Sequence, residues 1–166
     1  FLSPSKIINL DKFTFHSLVT TDPHSFNTIR NEYPDFGGEF EINHYTTVIK
    51  QLLEQGKLKL KKQLDLTVTF HDPCHLGRYN KGYDAPRDVI TMLGCDLVEL
   101  DRNRDNSFCC GAGGGRLWIP DPVGIQTTSE NRLHYARDMA AWDVLTVTVP
   151  KALTLVHHER PTAGSQ

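Results

Sequence analysis

The chain has 166 residues, a formal net charge of −2, 39% hydrophobic residues and four cysteines. This length suits one ordinary domain or two small half-domains, and the apolar fraction is too high for a disordered chain. The composition excludes a basic nucleic-acid binder and a disulfide scaffold, and no run approaches the ~20 apolar residues of a membrane helix. Because its start does not resemble a signal peptide, we expect a cytoplasmic protein or a piece of a longer one.

Several segments have the β-branched content that is typical of strands. They cover residues 15–21, 66–70, 97–100 and 144–148. Prolines follow closely after three of these segments, at Pro23, Pro73 and Pro150, and stop each run before it continues as a ladder.

The stretches between these segments have helical periodicity. Apolar residues recur on one face over residues 46–53 and 86–93, and a glycine follows each of the two runs. Ser129 is the expected N-cap of a third helix over residues 130–142. Strands that alternate with helices predict an α/β fold of parallel βαβ units.

A short internal repeat predicts how the chain is divided. Residues 19–28 resemble residues 146–155, and in both a strand is followed by x-Pro-x-x and a predicted helix. The repeat predicts two similar halves, the first of them incomplete in this chain. We therefore expect residues 1–60 to hold the C-terminal part of a first half with a connecting helix. Residues 61–158 would form the second half, and residues 159–166 a disordered tail.

The sharpest local feature is a pair of cysteines on a glycine-rich run, residues 108–116 (FCCGAGGGR). Adjacent cysteines are poor disulfide partners, and a cytoplasmic setting disfavours such a bridge. Both thiols, of Cys109 and Cys110, can instead point at one object, because glycines let the backbone approach it and aim N–H groups at an anion or at bridging sulfides. The alternative is a tight loop with two buried cysteines.

A further candidate thiol, Cys74, lies just beyond a predicted strand in residues 71–78 (HDPCHLGR). This position is at the carboxyl edge of the predicted sheet, where parallel α/β proteins bind their ligands. The separation from Cys109 leaves room for one helix and one returning strand, so thiols from two loops can converge. Cys95, where a predicted helix ends, is interpreted as a packing residue.

Three histidines lie in the predicted turns. They are His24, His71 and His75. A histidine in such a place is more often a hydrogen-bonding residue than a metal ligand, although each can ligate.

These motifs together resemble the cysteine-rich "CCG" domain family of heterodisulfide reductase catalytic subunits. Related modules occur in iron–sulfur subunits of glycolate, lactate and glycerol-3-phosphate oxidising systems, and in membrane reductases linked to electron-transfer flavoprotein. The resemblance is carried by residues 71–80, 85–87 and 106–118, with weaker support from residues 22–28 and 31–34.

The resemblance implies an iron–sulfur cofactor. In that family each half carries one cysteine, then Cys-Cys-Gly, then Cys-Pro-x-Cys, and the five thiolates can hold a four-iron assembly, non-cubane in some members. It implies a [4Fe-4S]-type cluster held by Cys74, Cys109 and Cys110, which the loss of other ligands would make labile. Backbone N–H groups of the glycine run would donate to cluster sulfides. The residues implied to bind the cofactor are Gly111, Gly113, Gly114, His24 and His75.

The chain departs from the family where Cys-Pro-x-Cys belongs. Val149 and Ala152 stand there in the second half, and Asp22 and Ser25 occupy the same place in the first. Since valine and alanine cannot ligate a metal, three alternatives stay open. One is a cluster completed by water, a histidine or a carboxylate; another is a zinc-stabilised structural domain with three cysteines and one histidine. The last is a degenerate, non-catalytic subunit that binds partners.

The leading hypothesis is an iron–sulfur electron-transfer module, part of a heterodisulfide-reductase-like oxidoreductase; whether the chain is itself an enzyme stays open. Electrons would arrive from a partner subunit that carries flavin or iron–sulfur clusters, and leave to a disulfide, a quinone chain or another acceptor. We expect a cytoplasmic chain with no membrane span and no nucleic-acid partner, which can associate with the cytoplasmic face of a membrane complex through its partner.

Overall fold

The computed structural model describes residues 4–111, 126–138, 143–145 and 155–157. Within these ranges the α-helices are α1 (Pro4–Leu10), α2 (Pro23–Asn27), α3 (Tyr45–Glu54), α4 (Asp84–Met92) and α5 (Thr128–Asp138). The strands are β1 (Leu18–Thr20), β2 (Ile42–His44), β3 (Thr67–Thr69), β4 (Asp96–Leu97), β5 (Asp143–Leu145) and β6 (Leu155–His157). A π-helical turn covers Thr28–Glu32, and 3-10 helices cover Tyr33–Phe36 and Arg104–Asn106.

The strands form two small sheets, and the predicted mixed α/β class is confirmed. In the first sheet β1 pairs in parallel with β2, with Leu18 opposite Ile42. The second sheet has the order β4-β3-β5-β6, in which β3 is parallel to both β4 and β5. Because α4 connects β3 to β4, this part of the chain is a parallel βαβ unit. Its carboxyl edge leads directly into the segment that carries Cys74.

The structure describes the predicted helix in one copy of the repeat. The first copy continues as the helix α2 (Pro23–Asn27), whereas the matching positions of the second copy, residues 150–154, lie outside the described residues. The next described residues, Leu155–His157, form the strand β6, which runs antiparallel to β5. The division into two repeated halves stays a prediction.

Most predicted element boundaries are close to the observed ones. The strand predicted over residues 97–100 is instead β4 at Asp96–Leu97, β2 was not predicted, and one helix start needs correction. Both α3 and α4 end just before a glycine in the left-handed region, at Gly56 (φ +66°) and Gly94 (φ +82°). Ser129 lies inside α5 and is not its N-cap. That position belongs to Thr127, whose Oγ1 accepts the N–H of Glu130 at 3.2 Å while a Glu130 carboxylate oxygen accepts the N–H of Thr127 at 2.9 Å. This reciprocal pair is a capping box.

The apolar core consists of two clusters, one beside each sheet. Phe26, Ile42 and Leu76 form the first, and Val68, Phe70 and Ile90 form the second. Leu76 belongs to the Cys74 segment yet packs against the first sheet's cluster, so this segment joins the two parts of the chain. Cys95 packs against the second cluster, which confirms its interpretation as a packing residue.

In the part of the chain that the structure describes, none of the helices combines the length and apolar character needed to cross a membrane.

Candidate functional site

The loop that carries Cys74 folds into tight turns directly after β3. The N–H of Gly77 donates to the carbonyl of Pro73 at 2.8 Å, and the N–H of Tyr79 donates to the carbonyl of Cys74 at 3.2 Å. Only glycine fits at position 77, because a Cβ there would overlap the ring of Tyr83. The loop is therefore compact and holds the Cys74 backbone in one place.

A buried ion pair anchors this loop to α4. The side chain of Asp72 is 1% exposed and accepts two hydrogen bonds from the Arg87 guanidinium, at 2.7 and 2.8 Å. The carboxylate of Asp72 also accepts the backbone N–H of Arg104 at 2.6 Å, and Arg87 donates to Glu99 at 3.0 Å. Asp72 lies two residues before Cys74, so the pair fixes the start of the Cys74 loop.

The segment before Cys109 docks on the Cys74 loop through hydrogen bonds. His71 Nε2 donates to the carbonyl of Phe108 at 2.8 Å. The guanidinium of Arg78 donates to the carbonyl of Ser107, and the Ser107 hydroxyl donates to the carbonyl of Asp72 at 3.3 Å. These contacts bring the backbone of the cysteine pair to the edge of the sheet where Cys74 lies.

The three thiols share one electrostatic environment. Cys74 and Cys110 are half-buried and Cys109 is exposed. Burial raises the pKa of Cys74, and the charges of Cys110 and Cys109 raise this pKa further, so each thiol of the pair acts on Cys74. The N–H of Gly111 donates to Cys109 Sγ at 3.3 Å, so this glycine N–H does face a sulfur. Among the described residues, no three His, Cys, Asp or Glu side chains are grouped so that they could hold a single metal ion.

Two of the predicted histidines meet beside Cys74. The Nδ1 of His75 lies 3.3 Å from Cys74 Sγ. His24 lies on α2, and its ring packs against the His75 ring with centroids 3.8 Å apart. Burial lowers the pKa of His75, and the charge of His24 lowers this pKa further, so the pair favours a neutral His75 ring.

The residues that replace the first Cys-Pro-x-Cys cap a helix. Asp22 is the N-cap of α2, and its carboxylate accepts the backbone N–H groups of His24 at 3.2 Å and Ser25 at 2.9 Å. The hydroxyl of Ser25 donates to the same carboxylate at 2.7 Å. Asp22 and Ser25 thus hold the turn that presents His24 to His75.

Part of the predicted site lies outside the described residues. These predicted positions are Gly113, Gly114, Val149 and Ala152.

Arg132 was not predicted from the sequence. Its side chain on α5 is 8% exposed, and Nη1 has no hydrogen-bond partner among the described residues. Burial lowers the pKa of Arg132, whereas the charges of Cys110 and Cys109 raise it, so the cysteine pair acts on this guanidinium. The sequence analysis gave this position no role, because polar residues of an amphipathic helix are typical of its exposed face.

The chain contains the signature of a known family. The profile of the cysteine-rich domain family, CCG, matches residues 68–150, which is half of the chain. The chain belongs to the CCG cysteine-rich domain family. The match begins in β3 and includes Cys74, Cys109 and Cys110.

Curated relatives extend the similarity along the chain. The chain is 41% identical over 160 residues to the "Probable iron-sulfur-binding oxidoreductase FadF" of Bacillus subtilis, covering 93% of this chain and 22% of that protein. It is 40% identical over 121 residues to the "EtfAB:quinone oxidoreductase" of Syntrophomonas wolfei, covering 71% of this chain and 17% of that protein. It is also 40% identical over 130 residues to a subunit of the dihydromethanophenazine:CoB–CoM heterodisulfide reductase of Methanosarcina acetivorans, covering 75% and 31%. The chain spans less than a third of the length of each relative, and no solved structure matches it.

Proposed function

We propose that the chain is an iron–sulfur electron-transfer module of a heterodisulfide-reductase-like oxidoreductase, with a [4Fe-4S]-type cluster bound by Cys74, Cys109 and Cys110. The observation that carries the proposal is the docking of the Phe108 segment on the Cys74 loop, through the His71 hydrogen bond of 2.8 Å to the Phe108 carbonyl. The names of the three relatives, an iron–sulfur-binding oxidoreductase among them, support a redox role.

The chemistry of the thiols fits a bound iron–sulfur group better than a nucleophilic cysteine. Burial raises the pKa of Cys74, so this thiol stays protonated at neutral pH, whereas a nucleophile needs a lowered pKa. Binding of metal deprotonates a coordinating thiol and releases the proton. The group, when bound, supplies electron transfer between metal-centred oxidation states.

The surroundings of the thiols also fit such a group. Arg132 Nη1 is a buried donor with no partner among the described residues, and sulfide is an acceptor. The N–H of Gly111 donates to Cys109 Sγ, and such hydrogen bonds to cluster sulfurs tune the reduction potential. His75 and His24 line the other side of Cys74, and a neutral His75 ring is available as a further ligand or hydrogen-bond donor.

The place of the module in a larger assembly is part of the proposal. Residues 61–158 would form one complete half of a CCG-type pair, and residues 1–60 the end of the other, whose His24 contacts His75. Electrons would come from a partner subunit with flavin or iron–sulfur clusters. The relative named EtfAB:quinone oxidoreductase supports a partner of this kind.

Anoxic reconstitution of the full chain with iron and sulfide tests the proposal. We expect iron and acid-labile sulfide in equal amounts and a broad visible absorption band. Cys74→Ser, Cys109→Ser and Cys110→Ser should each lower the iron content. Cys95→Ser is the matched control and should keep it, because Cys95 packs in the core.

Two outcomes would contradict the proposal in different ways. Stoichiometric zinc without iron would make the chain a zinc-stabilised structural domain. Neither metal, with partner binding unaffected by Cys74→Ser, would make it a degenerate partner-binding subunit.

A further inference from the structure

One face of α5 lies against the cysteine pair. A Cβ on Gly111 would lie 3.2 Å from both the N–H nitrogen of Ser129 and the Cβ of Thr128, so the start of α5 touches the residue after Cys110. About two turns later the ring of Tyr135 packs edge-on against Phe108, with centroids 5.0 Å apart. The helix is therefore held to the cysteine segment at two points.

Arg132 lies between these two contacts on the same helix face. Positions 128, 132 and 135 are separated by four and three residues, the spacing that places side chains on one side of a helix. The Arg132 side chain is therefore directed at the segment that contains Cys109 and Cys110. It is 8% exposed, so it does not reach into solvent.

One nitrogen of this buried guanidinium is not satisfied by the described protein groups. Nη1 has no hydrogen-bond partner among them, and His71 Nδ1 is a second buried polar atom without a described partner. An unpaired buried donor on a charged group is costly to stability, and a bound acceptor would satisfy it. The charges of Cys109 and Cys110 act on Arg132 and have the sign that stabilises its cationic form.

We propose that Arg132 supplies the positive charge and the N–H donor for the redox group held by Cys109 and Cys110; this inference rests on the proposed function. Coordinating thiolates put negative charge into a half-buried site, and each electron added on reduction increases this negative charge. A nearby cation stabilises the reduced state more than the oxidised one, so Arg132 raises the reduction potential. In the cluster-free chain the same arginine lowers the free energy of unfolding.

The test compares Arg132 with Arg102, which lies over the ring of Phe108. Arg132→Met removes the buried charge, and Arg132→Lys keeps the charge without the planar fork. Arg102→Met is the matched control, because Arg102 is exposed and its guanidinium carbon lies 3.9 Å from the centroid of the Phe108 ring. Each variant is made in the full chain, reconstituted anoxically, and titrated for its midpoint potential.

At a fixed solution potential, we expect Arg132→Met to lower the ratio of reduced to oxidised cluster at least tenfold. This corresponds to a midpoint potential that is lower by about 59 mV for a one-electron couple. Arg132→Lys should have a midpoint potential close to that of the wild type. Arg102→Met should have the wild-type midpoint potential, because exposed charges are screened. In cluster-free protein, Arg132→Met should raise the urea midpoint of unfolding, since a buried charged group with an unpaired N–H donor is removed.

The outcomes separate this inference from the proposed function. An Arg132→Met variant with the wild-type potential, or one that is destabilised or unfolded without cluster, overturns the inference, because Arg132 would then be structural. A wild-type chain that binds no iron under anoxic reconstitution overturns the proposed function, and with it this role of Arg132.

Discussion

The carboxylate of Asp72 and the guanidinium of Arg87 face each other in a two-point ion pair, with N–O distances of 2.7 and 2.8 Å, and both side chains are buried. The pair links the residue two before Cys74 to the middle of α4. The position of the Cys74 loop therefore depends on α4.

Removing one partner of this pair should be strongly destabilising. Asp72→Asn removes the buried carboxylate from Arg87 and leaves only Glu99, whose side chain is 37% exposed, as its charge partner. We expect a loss of about 3 kcal/mol in the free energy of unfolding. Asp88→Asn is the control, because the Lys50–Asp88 pair is 30% and 39% exposed and such pairs contribute about 1 kcal/mol or less. Urea unfolding of both variants measures the difference, and equal small losses would show that the buried pair does not anchor the loop.

Local sequence signals were sufficient for the helices and strands around the site. β-Branched runs before prolines predicted β1 and β3, and apolar periodicity ending at glycine predicted α3 and α4 within a few residues. These signals are local, since they depend on propensity and on backbone conformation at Gly56 and Gly94.

The contacts that complete the site join residues far apart in the chain, and local sequence patterns do not reveal them. Asp72 and Arg87 pair across a strand-to-helix connection, and the sequence analysis predicted no pairing between them. Arg132 was missed for the same reason, because its burial depends on how α5 packs on a distant loop. The Ser129 cap was wrong because two nearby residues, Thr127 and Ser129, can each start a helix, and the carboxylate of Glu130 pairs with Thr127.

Gly111 should be more sensitive to substitution than a glycine of similar backbone conformation elsewhere. Gly111→Ala would place a Cβ in the left-handed region (φ +78°) and 3.2 Å from two atoms of α5. The backbone conformation costs about 1–2 kcal/mol, and displacement of α5 from the cysteine pair adds to it. Unfolding in urea and iron content after reconstitution measure the two effects.

Gly56→Ala separates the backbone effect from the contact with α5. Gly56 also has a left-handed conformation (φ +66°), but nothing lies within 4 Å of a Cβ built there. Gly56→Ala should therefore lower stability and leave the iron content unchanged. Loss of iron in both variants would mean that global stability, not the contact with α5, controls binding.

His44 makes the stability depend on pH. Burial lowers the pKa of His44 to about 4, against 6.5 for an ordinary histidine, so the folded chain resists protonation of this ring. The unfolded chain binds more protons between these values, so the stability from the neutral ring is full above pH 6.5 and is lost as the pH falls toward 4. His44→Gln should reduce the slope of unfolding free energy in this window by about 1 kcal/mol per pH unit.

Tyr45→Phe is the control for the pH experiment. Its ring packs on His44 with centroids 4.7 Å apart, so the substitution disturbs the surroundings of His44 without removing a proton site in this window. We expect a changed stability with the wild-type slope. A wild-type slope in His44→Gln as well would show that other groups control the acid sensitivity.

The Cys74 thiol should react slowly in the cluster-free chain. Burial raises the pKa of Cys74 above the ordinary value of 9.0, and the charges of Cys110 and Cys109 add to the shift. Because the thiolate is the reactive form, alkylation by iodoacetamide at neutral pH should be several-fold slower in the folded chain than in urea-unfolded chain. Mass spectrometry of peptides from timed reactions measures the rate at Cys74 alone.

Two cysteine variants show whether the neighbouring thiols cause part of this shift. Cys109→Ser removes one of the two neighbouring charges and should move the pH profile of Cys74 alkylation toward lower pH. Cys95→Ser should leave the profile unchanged, because Cys95 packs in the second core cluster. If the folded and unfolded chains react equally fast at neutral pH, then Cys74 is neither buried nor coupled to the cysteine pair, and the convergence of the three thiols fails with it.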